Sequence, residues 1–177
     1  PRSIAIVGIS GQKVTTFRPG ARAVLEHLRK FNYQGKIYPV NPKYQEIDGL
    51  PTYPDLAALP ETPDCVVIGL PAKAVPEAVR QCGEFHIRSA LLLSSGFGEL
   101  GPDGLRLERE TREAAHAAGC RLIGPNSTGT INAIRSICMS MTSVLSAGGP
   151  IRPGRIALIV QSGALGSCLL DRARTAG

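Results

Sequence analysis

The feature that most constrains this chain is a repeated unit: a short apolar run, a Gly-, Asn- or Ser-containing turn, then a stretch with helical spacing. "SIAIVGIS" opens it, followed by "GKIYPVN", "DCVVIGLP", "SALLLSSGF" and "CRLIGPNSTG". Between them, "GARAVLEHLRKF" places Ala23, Val24, Leu28 and Phe31 on one helical face. "AKAVPEAVRQCGEF" and "DGLRLERETREAAHAAG" supply two more helices, with Pro76 marking a break or a first-turn position in the former. "PDLAALP" reads as a short helix started by Pro54 and Asp55 and stopped by Pro60. Apolar runs alternating with helices predict an α/β fold, a Rossmann-like doubly wound parallel sheet with both faces covered.

After Asn132 the pattern changes. Residues 133–154 are rich in Ser, Gly and Pro and read as a linker or crossing segment. Then "RIALIVQSGALGSCLLDRARTAG" restarts the motif, with a strand expected over residues 156–160, a tight turn at Gln161, Ser162 and Gly163, and a helix to Ala176. The expected division is therefore 1–132 for the first domain, 133–154 for the crossing segment, and 155–177 for the first βα unit of a second, flavodoxin-like domain. One such unit does not bury its own apolar faces, so a truncated second domain is expected. The chain opens on Pro1 rather than Met, which suggests an excised N-terminus.

Composition narrows the function. The 177 residues carry a formal charge of +6, spread along the chain rather than blocked, and only 5% are aromatic with no Trp. Nucleic-acid binding by basic clusters and stacking platforms is not expected. No apolar run approaches the roughly 18–20 residues of a membrane span. The cysteines, Cys65, Cys82, Cys120, Cys138 and Cys168, are scattered without a CxxC pair, as suits a reducing cytoplasm. Neither they nor His27, His86 and His116 show structural-zinc spacing.

Ligands of an open parallel sheet bind at the carboxyl ends of its strands. Here those ends read "GISGQK", "VNPK", "GLPA", "SSGF" and "GPNSTG". The first puts small residues where backbone can approach phosphate, but Ser10 stands where a dinucleotide fingerprint has its second glycine. At the second, where an NAD domain places an acid to hold the ribose hydroxyls, stands Lys43. A cation there suits a phosphorylated ribose, as in NADP or coenzyme A; a solvated surface lysine is the other reading. No Tyr-x-x-x-Lys pair or hydride-site constellation accompanies it.

These segments, above all "GKIYPVNPKYQEIDGLPTYPDLAALP", "GPN" and "QSGALG", resemble the CoA-binding domain of NDP-forming acyl-CoA synthetases, the group of the succinyl-CoA synthetase α subunit and the ADP-forming acetyl-CoA synthetases. "SSGF" and "QSGALG" look more like the acetyl type. The resemblance implies a phosphate loop at Ser10, Gly11, Gln12 and Lys13, with Lys43 at the 3′-phosphoadenosine end. It implies Leu70 and Pro71 beside the nucleotide, Ser94, Ser95 and Gly96 along the pantetheine, and Asn126 and Ser127 toward the thiol. Where the family often has Cys after "GPN", this chain has Ser127.

The family reaction runs through a phosphohistidine outside this stretch, and none of the three histidines matches its context. Ser162, Gly163 and Ala164 resemble the helix start that receives its phosphate. Ser162 as a hydrolase nucleophile lacks the preceding Gly-x of a nucleophile elbow. The implied partners are coenzyme A and the remaining synthetase segments, including an ATP-grasp portion with ATP and Mg, in an oligomer. The implied whole is an acyl-CoA ligase; the alternatives are a regulatory part of a fused acetyltransferase and an NADP-binding oxidoreductase domain. A Gly163→Val substitution is expected to spare the CoA site.

Overall fold

Strand β1 (Ser3–Val7) is buried along most of its length, and its side chains feed both faces of a sheet. Helix α1 (Ala21–Lys30) follows, then β2 (Lys36–Val40), a two-stranded ribbon of β3 (Glu46–Ile47) and β4 (Leu50–Pro51), and β5 (Cys65–Ile68). Next come α2 (Val75–Glu84), β6 (Ser89–Leu92), α3 (Pro102–Ala117) and β7 (Arg121–Ile123). The chain continues with β8 (Gly129–Asn132), β9 (Ile137–Ser140), α4 (Val144–Ala147) and α5 (Gly163–Ala176). The structure, a computed structural model, describes residues 1–11, 20–147, 149 and 151–176.

Five strands pair in parallel in the order β2-β1-β5-β6-β7. Counting parallel strands alone, this is the 2-1-3-4-5 order of a doubly wound sheet, whose switch point lies between β1 and β5. The register levels the strand ends: Val7 lies beside Val40 and Ile68, and Ile68 beside Leu92. The turns that follow therefore form one rim.

Two apolar layers flank the sheet. On one face Val75, Ala78, Val79 and Cys82 of α2, with Ala114 and Ala115 of α3, pack on Ala5, Val66, Ile68, Ala90 and Leu92. On the other, Ala21, Val24, Leu25 and Leu28 of α1 pack on Ile4, Ile6, Val67 and Leu91. Pro76 occupies the first turn of α2, where its missing N–H has no partner to lose.

The structure departs from the sequence pattern at three places. "PDLAALP" forms no helix; Asp55 caps Ala58 N–H (2.9 Å) in a turn, because a helix this short has no propagation to offset its nucleation. Part of the stretch after Asn132 is packed, with residues 137–140 and Leu145 buried. The antiparallel β8–β9 ribbon sets Ile137 and Met139 into the layer beneath α1, and His27 of α1 reaches Ser140 and Ser146. Residues 156–160 form no strand, and Ile156 and Ile159 are 93% and 97% exposed. An apolar run becomes a strand only beside another strand, and among the described residues none lies next to it.

Candidate functional site

The rim begins at Gly8, whose φ of +80° turns the chain out of β1. A Cβ there would lie 2.7 Å from the Gly69 carbonyl oxygen, so glycine is what lets the β1 and β5 ends approach at the switch point. Ser10 follows, its carbonyl accepting from Arg22 Nη1 (3.3 Å). Gly11 is exposed, and a Cβ on it would meet the Tyr44 ring at 2.7 Å. Gln12 and Lys13 lie outside the described residues.

Asn41 clamps the first two turns. Its Nδ2 donates to the Ile9 carbonyl (2.7 Å), and its Oδ1 accepts from Lys43 N–H (2.9 Å). Lys43 is thereby set on an Asx turn with an exposed side chain that makes no ion pair among the described residues. Arg22, nearly buried, binds Glu26 and Asp48 as well as Ser10. Burial alone would lower its pKa, but the bonds to Asp48 and Glu26 outweigh that and hold it above the ordinary value. Arg29 Nη2 donates to the Asp48 carbonyl (2.7 Å), so α1 ties the β3–β4 tip beside the first rim turn.

Leu70 is half-buried and its carbonyl accepts from Ser94 Oγ (2.6 Å); Pro71 is exposed at the start of a 3-10 turn. The Ser94 carbonyl in turn accepts from Asn126 N–H (2.8 Å), and Ser127 N–H donates to the Leu92 carbonyl (3.2 Å). These bonds join the turns after β5, β6 and β7 into one surface. Ser95 and Asn126 are exposed on it, while Gly96 and Ser127 are half-buried. Ser127 Oγ accepts from Gly129 N–H (3.1 Å).

The turn before α5 meets the same surface. Ser162 Oγ accepts from Leu165 N–H (3.3 Å), the geometry of an N-cap. Gly163 packs on the Thr128 methyl group so closely that a Cβ would collide with it. Thr142 Oγ1 and Ser167 Oγ are 2.8 Å apart, and Ser167 Oγ donates to the Gly163 carbonyl (2.8 Å). Gly163 thus stands against Thr128, the residue that follows Asn126 and Ser127, with exposed Ser162 and Ala164 on either side of it. A valine at Gly163 would press its branched side chain on Thr128, a contact that bears on the expectation that Gly163→Val spares the first site. Sequence reasoning had no signal for that contact, nor for Arg22 or Tyr44; Asn41 was legible as the start of an Asn-Pro turn.

A separate hollow of about 450 Å³ lies at the far end of α1, lined by Lys30, Phe31, Ala133, Ser136 and Cys138 among others. Its Lys30 ammonium already donates to the Leu145 and Ser146 carbonyls (2.7 and 2.8 Å).

The family described as CoA binding domain matches residues 2–133, a stretch that holds all five strands of the sheet and their rim. The chain belongs to the CoA-binding domain family. Its relatives include acetate–CoA ligase [ADP-forming] I of Archaeoglobus fulgidus, 38% identical over all of this chain and 24% of that protein. The α subunit of acetate–CoA ligase [ADP-forming] I of Pyrococcus furiosus is 36% identical over 96% of this chain and 36% of the subunit. Among solved structures, the dinucleotide-forming acetyl-coenzyme A synthetase 1 of Ca. Korarchaeum cryptofilum superposes with a TM-score of 0.85 at 32% identity. That match covers 99% of this chain and 36% of the other. The chain therefore spans about a quarter to a little over a third of the length of these relatives. By name these relatives are ligases and synthetases, not acetyltransferases or oxidoreductases.

Proposed function

We propose that this chain is the CoA-binding portion of an ADP-forming acyl-CoA synthetase, with coenzyme A lying along the strand-end rim. In this reading Lys43 meets the 3′-phosphate, and Ser10 and Gly11, with Gln12 and Lys13, approach the diphosphate. Leu70 and Pro71 flank the nucleotide, Ser94, Ser95 and Gly96 run beside the pantetheine, and Asn126 and Ser127 lie at the thiol. In the whole protein the CoA thiolate attacks the carbonyl of an acyl phosphate, forming the thioester and releasing phosphate. That acyl phosphate forms when ATP phosphorylates a histidine, leaving ADP, and the phosphohistidine transfers its phosphoryl group to the carboxylate; run in reverse, the sequence makes ATP from ADP. Ser162, Gly163 and Ala164 form the phosphate-receiving helix start, and the remaining synthetase segments, holding ATP and Mg, are the partners. A reducing, aqueous compartment such as the cytoplasm suits the five free cysteines.

The observation that carries this reading is the packing of Gly163 on Thr128. It sets an N-capped helix start, with its unpaired N–H groups, beside the loop assigned to the thiol. Thiol and phosphate are the two groups that must meet in the reaction.

Lys43 supplies the test. Lys43→Ala is expected to weaken CoA by about 1–3 kcal/mol, the range for a charge-assisted hydrogen bond. Dephospho-CoA should bind the unaltered chain less well and be indifferent to the substitution. Calorimetry showing equal losses for both ligands would remove Lys43 from the 3′-phosphate.

A further inference from the structure

The turn after β6 supplies its own anion. Gly96 N–H donates to Glu99 Oε1 (2.6 Å) and Phe97 N–H to Glu99 Oε2 (3.1 Å), while Gly98 N–H donates to Glu108 Oε2 of α3 (3.2 Å). Consecutive N–H groups of this kind form a concavity that binds anions. Two carboxylates of the chain already occupy it. The N–H bonds, that of Gly96 first, hold the Glu99 carboxyl below its ordinary pKa against a small opposing effect of burial.

The rest of the turn is fixed at both ends. Ser94 is bonded through its hydroxyl to Leu70 and through its carbonyl to Asn126. Phe97 is fully buried, and the first turn of α3 packs at Gly104 directly on its carbonyl. Between these anchors the backbone passes through Gly96 at φ +104°, and the exposed Glu99 carboxylate holds it there through its bonds to the Gly96 and Phe97 N–H groups.

We propose that Glu99 is a positioning residue for the ligand: its carboxylate fixes the turn so that Ser94, Ser95 and Gly96 present a level wall. It also occupies N–H donors that would otherwise draw the anionic groups of a ligand into the wrong place. This wall would therefore accept an uncharged part of the ligand, which agrees with pantetheine rather than phosphate at this point. The inference rests on the reading that CoA runs along the rim.

The test uses the whole chain with Glu99→Ala and Glu99→Gln, CoA titrated by calorimetry, and the Gly96 and Phe97 amides followed by NMR. Glu99→Ala should weaken CoA about tenfold, the equivalent of one charge-assisted hydrogen bond. Glu99→Gln, which keeps one acceptor oxygen, should lose less. Added formate should return the Glu99→Ala amide shifts and CoA affinity toward those of the unaltered chain, because a small carboxylate refills the concavity. CoA binding that is unchanged in Glu99→Ala, or a loss that formate does not restore, overturns the proposal while leaving the CoA reading in place. Failure of the unaltered chain to bind CoA overturns that reading instead, and the positioning role with it.

Discussion

Closing the switch-point crevice depends on Gly8, and the structure provides a matched control. Gly8 and Gly49 have nearly the same φ, +80° and +77°, so an alanine at either meets a comparable left-handed penalty of about 1–2 kcal/mol. Their surroundings differ. At Gly49 nothing lies within 4 Å of an added Cβ, whereas at Gly8 it would meet the Gly69 oxygen at 2.7 Å and Leu70 Cδ2 at 2.8 Å. The Leu70 methyl can rotate away; the carbonyl belongs to the strand end and moves only if β1 and β5 part. Overpacking of this kind adds about 1–3 kcal/mol. Gly49→Ala should therefore lose about 1–2 kcal/mol and Gly8→Ala about 2–5 kcal/mol. The excess corresponds to a gap of roughly 2–12 °C between their melting temperatures. Urea unfolding with an unchanged m-value reads both directly. Equal losses at the two positions would refute the reasoning, because they would show that the crevice yields freely.

Gly163→Ala should destabilise the docking of α5 by about 1–3 kcal/mol. Most of that should return in a Thr128→Ser background, where the colliding methyl is gone; a double-mutant cycle with no coupling would contradict the contact. His27 is buried between Ser140 and Ser146, and burial, the largest influence, pushes its pKa below the ordinary value; Lys30 adds to this, while Ser140 and Glu26 oppose it. The unfolded chain then takes up the proton first, so the stability from the neutral ring is fully present above about pH 6.5 and declines as pH falls toward the folded value. Between about pH 7.5 and 5.5 the urea midpoint should fall more steeply for the unaltered chain than for His27→Gln, and parallel profiles would dismiss the effect.

The sheet was legible because each of its strands is a local apolar run closed by a turn, and β2 falls on the residues its pattern marked. Where local pattern and tertiary setting part, the sequence misleads. Residues 156–160 are as apolar as β5 yet form no strand and stay exposed, since no strand lies beside them among the described residues. The β8–β9 ribbon went unread for the opposite reason. Its Ser- and Gly-rich flanks suggest a linker, yet Ile137 and Met139 find α1 as a partner and Ser136 turns the chain at φ +54°. The site divides in the same way. Lys43, Ser94 and Asn126 stand at strand ends, which topology exposes and sequence can name. Of the residues that hold those turns, Asn41 is marked by its Asn-Pro step, while Arg22, Glu99 and Thr128 act through contacts between turns distant in sequence or through backbone geometry that composition does not report.

Amide shifts on titration with CoA report whether coenzyme A lies across the level strand ends. The account predicts perturbations at Gly8 and Gly11, at Asn41 and Lys43, at Gly69 and Leu70, at Ser95 and Gly96, and at Ser127 and Thr128. Perturbations confined to Lys30, Phe31, Ser136 and Cys138 around the far hollow, or none on saturation with CoA, would contradict it.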